Sequence, residues 1–153
     1  KMAEAADYWI EKTGKGVILL AFDVGSENDI SACETTGRLI KHRDMADMVM
    51  HGVKGEIPEA FSRCEKIIGA RFHSAVLSIK MNIDFYPIIY RMKTQNLISD
   101  ISYPVKGSYI DSVDLSDIKK FLRSKNVGFK LDESYEFKVR QGFESLKSKL
   151  EKV

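Results

Sequence analysis

Between Lys66 and Tyr90 the chain reads KIIGARFHSAVLSIKMNIDFYPIIY, in which Arg71, Phe72, His73 and Ser74 interrupt two apolar runs. Arginine carries a planar fork of donors that matches a carboxylate or a phosphate. Histidine gains or loses a proton near neutral pH. If a strand ends and a helix begins here, the free N–H groups and dipole of the first helical turn favour an anion as well. Gly69 lets the backbone turn or come close to a ligand. Lys93, in YRMKTQN, holds the corresponding place after the next apolar run. Adjacent parallel strands lie about 5 Å apart, so both cationic turns can face one small ligand. The chemistry indicated is capture of a small anion by Arg71, Phe72, His73, Ser74 and Lys93, with His73 able to move a proton. Plainer uses remain open: a surface ion pair for Arg71, a helix cap for His73, an ordinary surface lysine at Lys93.

The other candidates are weaker. Asn28 and Asp29 stand where a loop enters a helix, and either could touch a ligand or simply cap that helix. His51 ends a strand-like run, and His42 belongs to the charged turn KHRD. Cys33 and Cys64 fall in helical segments without a basic neighbour and lack zinc spacing, so free thiols in a reducing cytoplasm are expected. No glycine-rich phosphate loop follows any strand, and no carboxylate cluster suggests a metal. Tyr8, Trp9, Phe121, Phe137 and Phe143 recur at helical spacing and are most simply core.

These residues need a scaffold, and strand and helix patterns alternate along the chain. KMAEAADYWIEKTG sets Ala3, Ala6, Trp9 and Ile10 on one helical face and stops at Gly14. GVILLAF is a continuous apolar run, as in a parallel strand covered on both sides. DISACETTGRLIKH predicts a helix, ADMVMHG a strand, GEIPEAFSRCEK a helix with an early proline, IIGA a strand and SAVLSIKMN a helix. IDFYPIIY predicts a strand, weakened by Pro87, which favours an edge. MKTQNLISDI is helical, SYI a short strand, and DLSDIKKFLRSKN a helix opened by Asp114 or Ser116 and closed near Gly128. Residues 132–153 predict a long charged amphipathic helix. The alternation indicates a single α/β domain over residues 1–153, a Rossmann-like, mostly parallel sheet with helices on both faces. Ligands of such sheets bind beyond the carboxyl ends of the strands, where Asp29, Arg71–Ser74 and Lys93 fall.

Composition bounds the rest. The 153 residues are 44% hydrophobic and 30% charged, a globular balance, and no apolar run approaches bilayer length. A net charge of +2 gives no general reason to expect nucleic acid, so any basic site is local. The chain starts at Lys1 without a signal-peptide pattern, which suggests a piece of something longer.

The stretch from IIGARFHS to ISDI resembles the signature region of the polysaccharide pyruvyl transferases. It has the G-x-R-x-H-[SA] turn, a buried helix, and a strand ending in tyrosine with a lysine just beyond. Gly69, Arg71, His73, Ser74, Tyr90 and Lys93 match, and Asn28–Asp29 match an upstream asparagine–aspartate pair. The resemblance spans residues 2 to 125 in order of elements, with the Arg71–His73 turn its specific part. It implies the C-terminal lobe of a two-lobed, glycosyltransferase-B-like enzyme of the cytoplasm or inner membrane face, with the N-terminal lobe as its missing partner. The implied reaction transfers a pyruvyl group from phosphoenolpyruvate to a saccharide acceptor, a precursor of capsule, exopolysaccharide or wall polymer, as a ketal. Arg71 would bind the donor with Lys93 assisting, and His73 would supply the proton or steady the departing phosphate. No cofactor is implied, and this chain alone is expected to bind donor weakly and turn over little. The alternatives are a sugar-nucleotide glycosyltransferase lobe, for which no ribose-reading acid stands out, and a non-catalytic partner-binding module.

Overall fold

A computed structural model describes residues 1–23, 29–50 and 56–132. The elements follow the alternation: α1 (Met2–Thr13), β1 (Val17–Ala21), α2 (Asp29–Leu39), β2 (Ala46–Met50), α3 (Glu56–Ser62), β3 (Lys66–Gly69), α4 (Phe72–Lys80), β4 (Asp84–Ile89), α5 (Met92–Asp100), β5 (Ser108–Tyr109) and α6 (Leu115–Arg123). The protein is therefore α/β, and every strand pair among the described residues is parallel, in keeping with a Rossmann-like fold. No helix among the described residues is long and apolar enough to cross a membrane.

Period-two alternation puts helices on both faces of the β3–β4 pair. Ile67 and Phe85 pack with Ile57 and Phe61 of α3, Ala75 of α4 and Ile98 of α5. Their neighbours Ile68, Tyr86 and Ile88 face the other way, onto Ala5 of α1 and Ile118 and Phe121 of α6. All six residues of β4 are buried, which explains the apolar run from Phe85 to Ile89 that follows the paired Asp84. Helix α1 stops as its sequence indicates: Gly14 takes a left-handed conformation (φ 67°) and its N–H closes onto the Ile10 carbonyl.

Four features depart from expectation. The strands form two sheets rather than one, β1 with β2 and β3 with β4 and β5. Pro87 lies in β4, the middle strand of its sheet, not at an edge. The ladder to β5 begins only at Ile88, beyond the proline. Gly107 makes room for it, since a Cβ there would stand 2.0 Å from the Pro87 carbonyl oxygen. Helix α6 ends at Arg123 rather than near Gly128. The following segment is instead pinned to the sheet, where the Val127 N–H donates to the Asp84 carboxylate at 2.9 Å. Cys64 lies just beyond α3, half-buried, its Sγ 3.2 Å from the Ala60 carbonyl oxygen. The expected helix over 132–153, with Phe137 and Phe143, lies outside the described residues apart from Asp132.

Asp114 is the cap of α6, accepting the Ser116 N–H at 2.9 Å. That bond, with a second from the Ser116 hydroxyl, holds its carboxyl below the usual carboxylate range. A carboxyl lowered on folding stabilises the protein above its unfolded pKa and loses that contribution as pH falls through the folded value. Helix stability is thus expected to drop on acidification below the ordinary aspartate range. Asp114→Asn, which keeps the cap but cannot ionise, should remove this part of the pH dependence, measurable by thermal melts from pH 7 to 2.5.

Candidate functional site

The site forms where β3 and β4 end. Arg71 is the residue before α4, in extended backbone conformation (φ −75°, ψ 136°), and its carbonyl accepts the N–H groups of Ser74 and Ala75. Ser74 is buried, and its hydroxyl folds back onto the same carbonyl at 2.5 Å. Gly69 owes its identity to this turn: a Cβ would stand 2.4 Å from Ser74 Oγ and 3.1 Å from the Phe85 ring. Its close approach is to the protein's own helix, and its φ is not positive. Ser74 and Gly69 thus build the turn from within.

The Arg71 guanidinium spans two elements. Its Nε lies 3.0 Å from each Asp29 carboxylate oxygen, and its Nη2 also donates to Asp29 Oδ1. Nη1 donates to the Tyr90 hydroxyl at 3.2 Å. Asp29 Oδ2 in turn accepts the N–H groups of Phe22 and Asp23 at 3.1 and 2.9 Å. Asp29 therefore opens α2 while its carboxylate turns back to the end of β1, tying that loop to the β3–α4 turn. These are charge-assisted bonds, the stronger kind.

The remaining basic side chains gather on two aromatic rings. Lys93 Nζ stands 4.2 Å from the centroid of Phe72, and the exposed His73 ring meets Phe72 edge-on at 6.2 Å. Tyr90, at the end of β4, lies between two guanidiniums, with Arg71 Cζ 6.0 Å and Arg91 Cζ 5.3 Å from its centroid. Helices α4 and α5 both begin here, so their N-terminal dipoles add to the same positive field. Arg71, Phe72, His73, Ser74, Lys93, Gly69 and Asp29 thus come together, whereas Asn28 and His51 lie outside the described residues. Sequence reasoning missed Arg91, although the dipeptide Tyr90-Arg91 at a strand end was a usable signal. It also could not foresee the Arg71–Asp29 pair, whose members are 42 residues apart.

Neither cysteine is poised for nucleophilic attack. Burial, reinforced by the Asp29 carboxylate, pushes the Cys33 thiol up, and burial does the same at Cys64. Among the described residues no group of His, Cys, Asp or Glu is placed to hold a metal ion. His42 sits in its charged turn, with Nε2 3.5 Å from Glu11. Of the core aromatics, Phe121 is buried, and Tyr8 and Trp9 are half-buried.

Compared with known proteins, the chain matches no family model, no curated protein and no solved structure.

Proposed function

We propose that this domain binds phosphoenolpyruvate as the donor lobe of a polysaccharide pyruvyl transferase, glycosyltransferase-B-like in architecture and cytoplasmic. One observation carries the proposal: Arg71, Arg91, Lys93 and His73 converge at the starts of two neighbouring helices beyond the carboxyl ends of a parallel sheet. Phosphoenolpyruvate is a compact polyanion bearing a phosphate and a carboxylate, and it suits such a field. Lys93 and the helix N-termini would receive one anionic group, with Arg71 and Arg91 flanking the other. The reaction adds two sugar hydroxyls to the enol carbon. One released proton converts the methylene to a methyl group, the other leaves to the medium or to phosphate, and the C–O bond to phosphate breaks. His73, exposed beside Phe72, would deliver the methylene proton or steady the departing phosphate. The acceptor saccharide would be held in part by a second lobe.

Thermal shift tests this directly, because a ligand that binds only the folded state stabilises it by about 2.7 kcal/mol at a hundredfold excess over Kd. Millimolar phosphoenolpyruvate is expected to raise the melting temperature by several degrees, inorganic phosphate by less, and a UDP-sugar not at all. Stabilisation by the UDP-sugar alone would move the domain to the glycosyltransferases. No response to any of the three would leave a non-catalytic module.

A further inference from the structure

Strands β1 and β3 run side by side without pairing. One edge of β1 is given to β2 along Val17–Ala21, and one edge of β3 to β4 along Lys66–Gly69. The opposite edges border a cleft of about 840 Å³, lined without interruption by residues 17–20 of β1 and 66–69 of β3. Successive side chains of a strand point to opposite faces, so an unbroken run of lining residues marks an edge rather than a face. Two rows of main-chain donors and acceptors therefore look onto the same half-buried space, where backbone groups ordinarily have partners. Two ion pairs span it. Lys15, just before β1, meets Glu65, just before β3, and Asp29 meets Arg71 beyond the other ends. The strands thus point the same way at the same level, with Ile18 and Leu19 facing the region of Ile67 and Ile68.

We propose that the cleft closes by β1 zipping onto β3 as parallel neighbours, making one sheet in the order β2-β1-β3-β4-β5. Closure sets the span of the anion site, because Asp29 belongs to one half-sheet and Arg71, His73 and Lys93 to the other. The joint rests on backbone geometry alone and stands whether or not phosphoenolpyruvate is the ligand.

Amide hydrogen exchange of the ligand-free wild-type chain tests it. In the zipped state residues 17–21 and 66–69 should exchange as slowly as Asp84–Ile89 of β4. If the cleft persists, roughly half of the amides in each strand should exchange about 100-fold faster than those of β4. A second test pairs Leu19→Cys with Ile68→Cys in a Cys33→Ser, Cys64→Ser background. A disulfide needs Cα atoms about 4.4–6.8 Å apart, so rapid oxidative cross-linking is expected of a zipped sheet. Fast edge exchange in wild type, with no cross-link in a variant whose β4 remains protected, would overturn the proposal.

Discussion

Asp84→Ala is expected to lower the melting temperature by roughly 10 °C, the largest effect of any single substitution considered. Lys66 and Asp84 face each other across the starts of β3 and β4 at 3.1 Å, with side chains only 7% exposed. The ammonium also lies 4.6 Å from the centre of the Phe121 ring. Removing the carboxylate strands a buried charge, which costs about 3–5 kcal/mol when one partner of such a pair is lost. It also deprives the Val127 N–H of its acceptor. Replacing both charges, as in Lys66→Met with Asp84→Leu, should recover the ionic part and leave a deficit of about 1–3 kcal/mol from that unsatisfied N–H. Urea melts of wild type, single and double variants separate the two contributions. Equal stability of Asp84→Ala and wild type would mean that the pair is solvated and structurally idle.

The second large effect falls on Arg71. Arg71→Ala is expected to weaken phosphoenolpyruvate binding by about 10- to 100-fold, the loss of one or two charge-assisted bonds, as measured by titration calorimetry. Stability should also fall, because Asp29 keeps its two backbone bonds but loses its counter-ion while mostly buried. Asp29→Asn distinguishes a ligand-binding arginine from a strut. It breaks the same ion pair yet leaves the guanidinium in place, so a donor site should retain or gain affinity where Arg71→Ala loses it. If neither substitution changed donor affinity while both lowered the melting temperature equally, Arg71 would serve only to fasten the β1 loop to the β3–α4 turn.

Much of the framework was legible because it is written locally. Helical periodicity, Gly14 and Asp114 place α1 and α6, and continuous apolar runs mark β1 and β4, since each signal lies within a few residues of the structure it produces. The cationic turn at Arg71–His73 was legible for the same reason, as a strand end followed at once by a helix start. Pro87 misled because its cost depends on its neighbours, a ladder that begins one residue later and a glycine at 107 that gives clearance. Gly69 was identified as special, but its tight partner is Ser74, five positions on, and only the packed helix reveals that contact.

The sequence by itself determined the succession of elements, their parallel α/β character and the cationic turn, all consequences of side-chain period and short-range backbone preference. Only the tertiary structure decided that Arg71 grips Asp29, that Arg91 and Lys93 settle over Tyr90 and Phe72, and that the strands divide into two sheets. Those outcomes depend on which distant segments meet. That choice is made by the burial of whole faces rather than by any residue's own tendency.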